Sequence, residues 1–126
     1  MREIKFRAKS GTQWRYGDLY HNEHGELVIY ESLTKGKTLD GAAVLGWRIK
    51  VDPDTVGQYT GLLDADGREI YEGDVLGAIK TTVLVEWGLD GWVADCFTLS
   101  EWLKLHDSRV IGNVHDNPDL LEVAHD

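Results

Sequence analysis

The sequence predicts a mainly β protein, folded as a small barrel or sandwich. Short segments in which apolar and polar residues alternate follow one another along the chain, and this period of two is typical of half-buried strands. Glycine-containing turns separate the segments at short intervals, which is the pattern of an all-β domain. Asp66-Gly67 is the clearest of these turns, because this pair supplies the positive φ angles of a tight hairpin. We place the barrel at about residues 47–114.

The first part of the chain contains three strand patterns. Residues 4–9 alternate between apolar and basic side chains, so they predict a strand with one basic face. A second strand is expected over residues 14–20, bent at Gly17, and its return strand over residues 26–30. Residues 32–43 show little pattern and predict a loop.

The rest of the chain predicts seven further strands and two short helices. Trp87 shares a face with Val83 and Val85, so we expect most of the tryptophans to lie in the core. Cys96 falls within a predicted strand and is expected to be an inert buried thiol. The predicted strands are residues 47–51, 55–60, 69–71, 75–80, 83–87, 92–97 and 109–114.

Two helices are expected near the C-terminal end of the sequence. The apolar side chains between Leu99 and His106 have helical spacing, and Ser100 is the expected cap. Asn117-Pro118 provides a cap followed by a first-turn proline, so residues 119–123 predict one or two further helical turns.

Composition restricts the class of protein. The chain has 126 residues, of which 42% are hydrophobic, enough for the core of one domain or of two very small ones. No apolar segment has the length of a membrane span, and the first residues lack the pattern of a signal peptide. Cys96 is the only cysteine, so no intrachain disulfide can form and nothing indicates an oxidising compartment. We therefore expect a cytoplasmic protein.

The net charge of −9 is unevenly distributed. Residues 1–50 carry nine Lys/Arg and six acids, whereas residues 51–126 carry four Lys/Arg and sixteen acids. This excess of acids disfavours non-specific binding to nucleic acid. The asymmetry is compatible with an ordinary charged surface, with self-association between the two parts, or with an acidic face that binds a basic partner.

No group of residues in the sequence has the spacing of a catalytic or metal site. In the segment around Gly67, an EF-hand alignment would place Leu62 first and Gly73 twelfth, where calcium-binding carboxylates are required. Only His21 and His24 are close together among the five histidines, too few for a transition-metal site. The acidic residues of segments 52–54 and 69–74 mostly flank Pro or Gly, as turn residues do. We expect no enzymatic activity, no cofactor and no metal.

A series of motifs extends over nearly the whole chain. In order, they are Met1-Arg2-Glu3-Ile4-Lys5-Phe6-Arg7-Ala8, Trp14-x-Tyr16-Gly17, Thr55-Val56-Gly57-Gln58-Tyr59-Thr60-Gly61-Leu62, Asp64-x-x-Gly67-x-Glu69-Ile70-Tyr71-Glu72-Gly73-Asp74-Val75, Val85-Glu86-Trp87, Val110-Ile111-Gly112-Asn113 and Asn117-Pro118. In this order the motifs resemble those of the YopX family of phage and prophage proteins. Two positions depart from the family pattern: Lys9 stands where an aromatic residue is common, and His115-Asp116 replaces an aromatic-acidic pair.

The resemblance implies a fold and an origin rather than an activity. It implies an SH3-like β-barrel with an additional N-terminal β part, and action inside a bacterial host cell. We expect residues 1–46 to form the N-terminal β part packed on the barrel, and residues 47–126 to form the barrel with its short C-terminal helix, unless both make one continuous domain. The family has no established activity, cofactor or catalytic residue that could be transferred to this chain.

We therefore expect a phage or prophage accessory protein that acts by binding another protein or its own copies, and not a membrane. The alternative is a module for single-stranded nucleic acid, which would use the basic N-terminal edge with Trp14 or Tyr16 as a stacking platform. The candidate binding surface comprises Arg2, Lys5, Arg7, Trp14, Tyr16, Gln58, Tyr59, Tyr71, Glu72 and Asp74.

Overall fold

The structure is a computed structural model that describes residues 4–32, 46–89 and 91–120. These residues form eleven strands, one α-helix and one 3-10 turn, Pro53–Thr55, so the predicted mainly β class is confirmed. The strands are β1 Phe6–Ser10, β2 Gln13–His21, β3 Leu27–Ser32, β4 Gly46–Lys50, β5 Gly57–Leu63, β6 Glu69–Tyr71, β7 Asp74–Ala78, β8 Thr81–Gly88, β9 Gly91–Ala94, β10 Phe97–Thr98 and β11 Arg109–Asn113, and the helix is α1 Leu99–Leu105.

The described residues divide into two compact units, and the division falls between Gln58 and Tyr59. The first unit contains β1 to β4 and the first two residues of β5. The second contains the remainder of β5 and all later elements. A compact unit need not be an independent domain, so the domain boundary expected between residues 46 and 47 stays a prediction.

The first unit is an antiparallel sheet in the order β4-β3-β2-β1-β5. Its core is formed by Ala8, Ile29 and Val51, all almost completely buried. Gly17 lies in β2 at the point where a side chain would collide with the backbone carbonyl of Tyr30 in β3. A glycine here therefore permits the close approach of the two strands.

The second unit contains an antiparallel sheet in the order β10-β9-β8-β7-β11, and β6 pairs with the end of β5. The helix α1 contributes Leu99 and Trp102 to the core. The other buried residues of this core come from the strands; they are Ile70, Leu76, Val83, Val85 and Ala94. The predicted alternation of buried side chains is seen at Val83 and Val85 of β8.

Neither sheet closes into a barrel within the part of the chain that the structure describes. The barrel expected over about residues 47–114 is therefore not formed by those residues. The reason is the pairing of β4, which extends the first sheet by pairing with β3 from Val28 to Ser32. Its alternating sequence indicates a strand correctly, but alternation does not name the strand's neighbour.

The structure also corrects several local predictions. The cap of α1 is Thr98 and not Ser100, because the Thr98 Oγ1 accepts a hydrogen bond from the backbone N–H of Glu101 at 3.1 Å. The strand expected over residues 92–97 is interrupted by a turn at Asp95, which has a positive φ of 59°. Cys96 lies in that turn and is exposed, so the prediction of a buried thiol is wrong.

Two sequence predictions fall largely outside the described residues. Of the loop expected over residues 32–43, only Ser32 is described, and it belongs to β3. Of the helix expected over residues 119–123, Asp119 and Leu120 are described and are helical. Among the described residues, no helix has both the length and the apolar character of a membrane span.

Candidate functional site

An open groove in the second unit is lined by an exposed tryptophan. Its volume is about 370 Å³. Three elements form it: the middle of β5, the paired ends of β8 and β9, and the start of α1. The lining residues are Thr60, Gly61, Leu62, Trp87, Gly91, Trp92, Thr98, Leu99 and Ser100.

The β8–β9 hairpin positions the two tryptophans. Trp87 pairs with Trp92 across the two strands, and the rings meet edge to face with their centroids 4.7 Å apart. Val85, two residues earlier in β8, is completely buried, whereas 60% of Trp87 is exposed. The prediction that Trp87 lies in the core with Val85 is therefore wrong, because the last fully buried pair of the hairpin is Val85 with Ala94, three residue pairs before its end at Gly88 and Gly91. The alternation of apolar residues in β8 continues to Trp87, whereas close packing against the core does not.

The start of α1 forms a fixed wall of the groove. Leu99 and Trp102 are buried in the core and anchor the helix. The Trp102 Nε1 donates to the Ser108 Oγ at 3.2 Å, and the indole stacks on the ring of His106 at 4.0 Å. The side chains of Thr98 and Ser100 belong to exposed residues at the edge of this wall. The wall thus combines a rigid apolar base with two accessible hydroxyl groups.

The segment of β5 that lines the groove is held by a threonine hydroxyl. The Thr60 Oγ1 donates to the backbone carbonyl of Ile70 at 2.7 Å and accepts from the backbone N–H of Leu62 at 3.2 Å. The register of β5 against β6 shifts between Tyr59 and Leu63. Irregularities of this kind bend a strand and change the direction of its side chains, and here the irregular segment faces the groove.

The chemistry of the groove is that of a binding surface. Its lining offers indole rings, aliphatic side chains and hydroxyl groups, and none of the lining residues carries an ionisable side chain. The stretch of sequence that supplies the groove is acidic overall, since residues 59–126 contain four Lys/Arg and fourteen acids. Such a lining can hold aliphatic, aromatic or cationic groups.

The candidate residues of the N-terminal edge lie together in the first unit. The Arg7 guanidinium lies 4.7 Å from the centre of the Trp14 ring, and the Lys9 ammonium lies 5.7 Å from it. Arg7 is only 6% exposed, Lys5 and Trp14 are half-buried, and Tyr16 is exposed. Arg2 lies outside the described residues. The Arg7 cation, which the sequence analysis assigned to a binding surface, thus lies over the Trp14 ring within the unit.

The remaining candidates are mostly interior. Tyr59 and Tyr71 are buried, with ring centroids 5.5 Å apart. The buried carboxylate of Asp74 accepts a hydrogen bond from the backbone N–H of Tyr71 at 2.8 Å. Gln58 and Glu72 are half-buried. The three buried side chains hold the second unit together and offer a partner little surface.

A buried carboxylate organises the turn after β5. Asp64 is 7% exposed and accepts three backbone hydrogen bonds, from Asp66 at 2.9 Å, Arg68 at 2.8 Å and Val110 at 2.9 Å. Burial raises the pKa of Asp64, but the three backbone donors and the charge of Arg68 outweigh burial, so the pKa is lowered overall. Asp64 therefore acts as a turn residue. Within the described ranges, no three His, Cys, Asp or Glu side chains are grouped so that they could hold a metal ion.

Sequence reasoning missed the groove. None of its lining residues is among the candidate residues, although Trp87 and Trp92 are conspicuous in the sequence. The available signal is the symmetric Trp87-Gly88 and Gly91-Trp92 arrangement about a turn, which places two large rings opposite each other at a hairpin end. Side chains at such an end extend beyond the core.

Comparison with known proteins places the chain in a family and gives no activity. A search of curated proteins found no significant match. The structure is similar to the crystal structure of protein EF1440 from Enterococcus faecalis, with a TM-score of 0.58 and 21% sequence identity over 96% of this chain and 99% of that chain. A similarity at this identity concerns the fold alone. Residues 5–122 match the family described as YopX protein, and the chain therefore belongs to the YopX family.

Proposed function

We propose that the protein acts by binding another protein, and that the Trp87 groove is the binding surface. The observation that carries this proposal is the 60% exposure of Trp87, a large apolar side chain that Trp92 holds in place. Tryptophan is enriched among the residues that dominate the energy of protein interfaces. A ring already fixed by its neighbour loses little conformational freedom when a partner binds.

The surroundings of Trp87 support a protein partner. Leu89 is fully exposed at the tip of the same hairpin, and Leu63 is exposed at the end of β5, directly after the groove residue Leu62. These side chains lie on the strand and the hairpin that line the groove, and exposed apolar surface is typical of interaction sites. The groove is open to solvent, which suits a peptide segment or a protein edge.

The family membership supports a role as an accessory protein of a phage or prophage, acting in the cytoplasm of a bacterial host. In this proposal the strands β7 to β11 form an SH3-like platform, and β8, β9 and α1 present the groove. SH3-type modules use aromatic grooves between strands and loops to bind extended peptides. The proposal assigns no catalytic step to the protein.

A pull-down with a matched pair of variants tests this function. The tagged protein, Trp87→Ala and Trp47→Ala are each incubated with extract from bacteria that carry the phage or prophage, and retained proteins are identified by mass spectrometry. Trp47 is a suitable control because it is 55% exposed and lies in the first unit. We expect the parent and Trp47→Ala to retain the same protein and Trp87→Ala to lose it. Equal retention by all three would refute the role of the groove.

A second candidate function is the binding of single-stranded nucleic acid. The cluster of Arg7, Lys9 and Trp14 favours it, because cations beside an aromatic ring are the usual means of holding a strand. Against it, the Arg7 guanidinium lies over the Trp14 ring on which a base would stack. Labelled single-stranded and duplex DNA titrated at low salt decides the question. Binding that weakens in a Lys9→Ala variant and falls steeply with salt would favour nucleic acid over protein.

A further inference from the structure

We infer that the Trp87 groove accepts an extended basic segment of another protein, with an arginine side chain stacked on the Trp87 indole. This inference rests on the proposed function and adds the chemistry of the partner. Three features of the second unit lead to it: its charge, the exposure of the Trp87 indole, and the hydroxyl groups at the edge of the groove.

The charge of the second unit selects a cationic partner. Residues 59–126 carry fourteen acids and four Lys/Arg. Of these four bases, Arg109 is already paired with Asp66 at 3.0 Å. Because none of the groove residues is charged, the net charge of the unit decides between partners, and it repels an acidic segment at long range. A basic segment is attracted at long range and its approach is accelerated.

The Trp87 ring selects arginine among cations. An indole face attracts a cation through its quadrupole, and the planar guanidinium can also stack on the ring, which an ammonium cannot. The first unit contains the same pairing, since the Arg7 guanidinium lies 4.7 Å from the centre of Trp14. At Trp87 the corresponding ring is exposed, so a guanidinium from a partner can occupy it.

The edge of the groove can hold the backbone of an extended segment. The Thr98 Oγ1 accepts the N–H of Glu101, so its hydroxyl proton remains able to donate to a carbonyl. Ser100, two residues after Thr98, is also exposed and also carries a hydroxyl group. Leu62 and Leu99 also line the groove and provide its aliphatic surface. Aliphatic groups of the segment would contact that surface.

Fluorescence anisotropy with three labelled peptides of equal length tests the inference on the full chain. The first peptide contains arginine and leucine, the second has lysine in place of arginine, and the third has glutamate in place of arginine. We expect the arginine peptide to bind most tightly, the lysine peptide more weakly, and the glutamate peptide not at all. Added salt should weaken binding of the two basic peptides.

Variants separate stacking on Trp87 from general attraction to an acidic protein. We expect Trp87→Ala to weaken the arginine peptide about tenfold or more, the usual effect of truncating a central aromatic residue of an interface. Trp47→Ala should leave its affinity unchanged. Trp87→Phe should restore part of the affinity, because it keeps an aromatic face. Circular dichroism of each variant checks that the fold is retained.

The outcomes distinguish the inference from the proposed function. Equal binding of the arginine and glutamate peptides, or equal weakening by Trp87→Ala and Trp47→Ala, would overturn the inference. If the pull-down depends on Trp87 while no basic peptide binds, the groove binds a protein of another chemistry and only the inference fails. If neither assay depends on Trp87, both fail. Salt-sensitive dimers seen by light scattering, disrupted by Trp87→Ala, would identify a second copy as the occupant in place of another protein.

Discussion

Removal of the Asp64 carboxylate should destabilise the protein by about 3 kcal/mol in the alanine variant. The side chain accepts three backbone N–H groups while almost fully buried. Each of these donors loses its partner in Asp64→Ala, at a cost of about 1 kcal/mol or more per group. Asp64→Asn should cost only about 1–2 kcal/mol. Its amide oxygen can replace the Oδ1 that accepts from Asp66 and Arg68, while its NH₂ group would face the N–H of Val110.

The contribution of Asp64 should also depend on pH in a defined direction. Because the pKa of Asp64 is lower in the folded protein than the value of about 3.9 in an unfolded chain, folding favours the ionised form. The stabilisation is therefore fully present above about pH 4 and is lost as the pH falls through the folded-state pKa. The stability difference between the parent and Asp64→Asn should shrink in this acidic range.

Urea unfolding followed by tryptophan fluorescence and far-UV circular dichroism, near neutral pH and at about pH 3, measures both effects. Asp66→Asn is the matched control, because it removes a carboxylate from the same turn whose ion pair with Arg109 is exposed. We expect no measurable change in that variant at neutral pH. An alanine variant at Asp64 as stable as the parent, or a loss in Asp64→Asn that is identical at both pH values, would refute the reasoning.

Three other substitutions test local features by the same unfolding measurement. Gly67→Ala should cost about 1–2 kcal/mol, because Gly67 has a φ of +81°, which an alanine adopts only with strain. A Cβ there would meet no other atom within 4 Å, so the whole cost is conformational; a neutral result would contradict this. Gly17→Ala should cost more, about 2–3 kcal/mol, because its Cβ collides with the Tyr30 carbonyl of the neighbouring strand; a smaller loss than in Gly67→Ala would show that the strands adjust. Thr98→Ala should cost about 1 kcal/mol and Ser100→Ala much less, because Thr98 is the N-cap of α1. A larger loss in Ser100→Ala would indicate that Ser100 is the cap.

Local sequence determined most of the strands and turns. The alternation in residues 4–9 corresponds to β1, and the Asp66-Gly67 turn joins β5 to β6. These features depend on side-chain period and backbone conformation over a few residues, so they can be predicted from neighbouring positions alone. The motifs were also sufficient to indicate the family that residues 5–122 match.

The sequence predictions were wrong at positions where two local signals compete. Ser100 and Thr98 are both good caps, and the choice between them follows from where the chain leaves β10. Cys96 has strand neighbours on both sides, but the turn at Asp95 brings it to the surface. Single-sequence patterns place such boundaries only to within a few residues. The burial of the candidate residues Tyr59, Tyr71 and Asp74 could not be read from the sequence. No local signal distinguishes a tyrosine of the core from one of the surface.

The sequence by itself determined the mainly β class, most strand positions and the turn at Gly67, because each depends on contacts between near neighbours in the chain. The tertiary structure alone decided which strands pair beyond the local hairpins and where the core ends. It placed β4 beside β3, left Trp87 exposed after the buried Val85, and brought β5, the β8–β9 hairpin and α1 together at one groove. Residues as distant in sequence as Leu62 and Ser100 meet there, and such long-range contacts are set by packing of the whole chain.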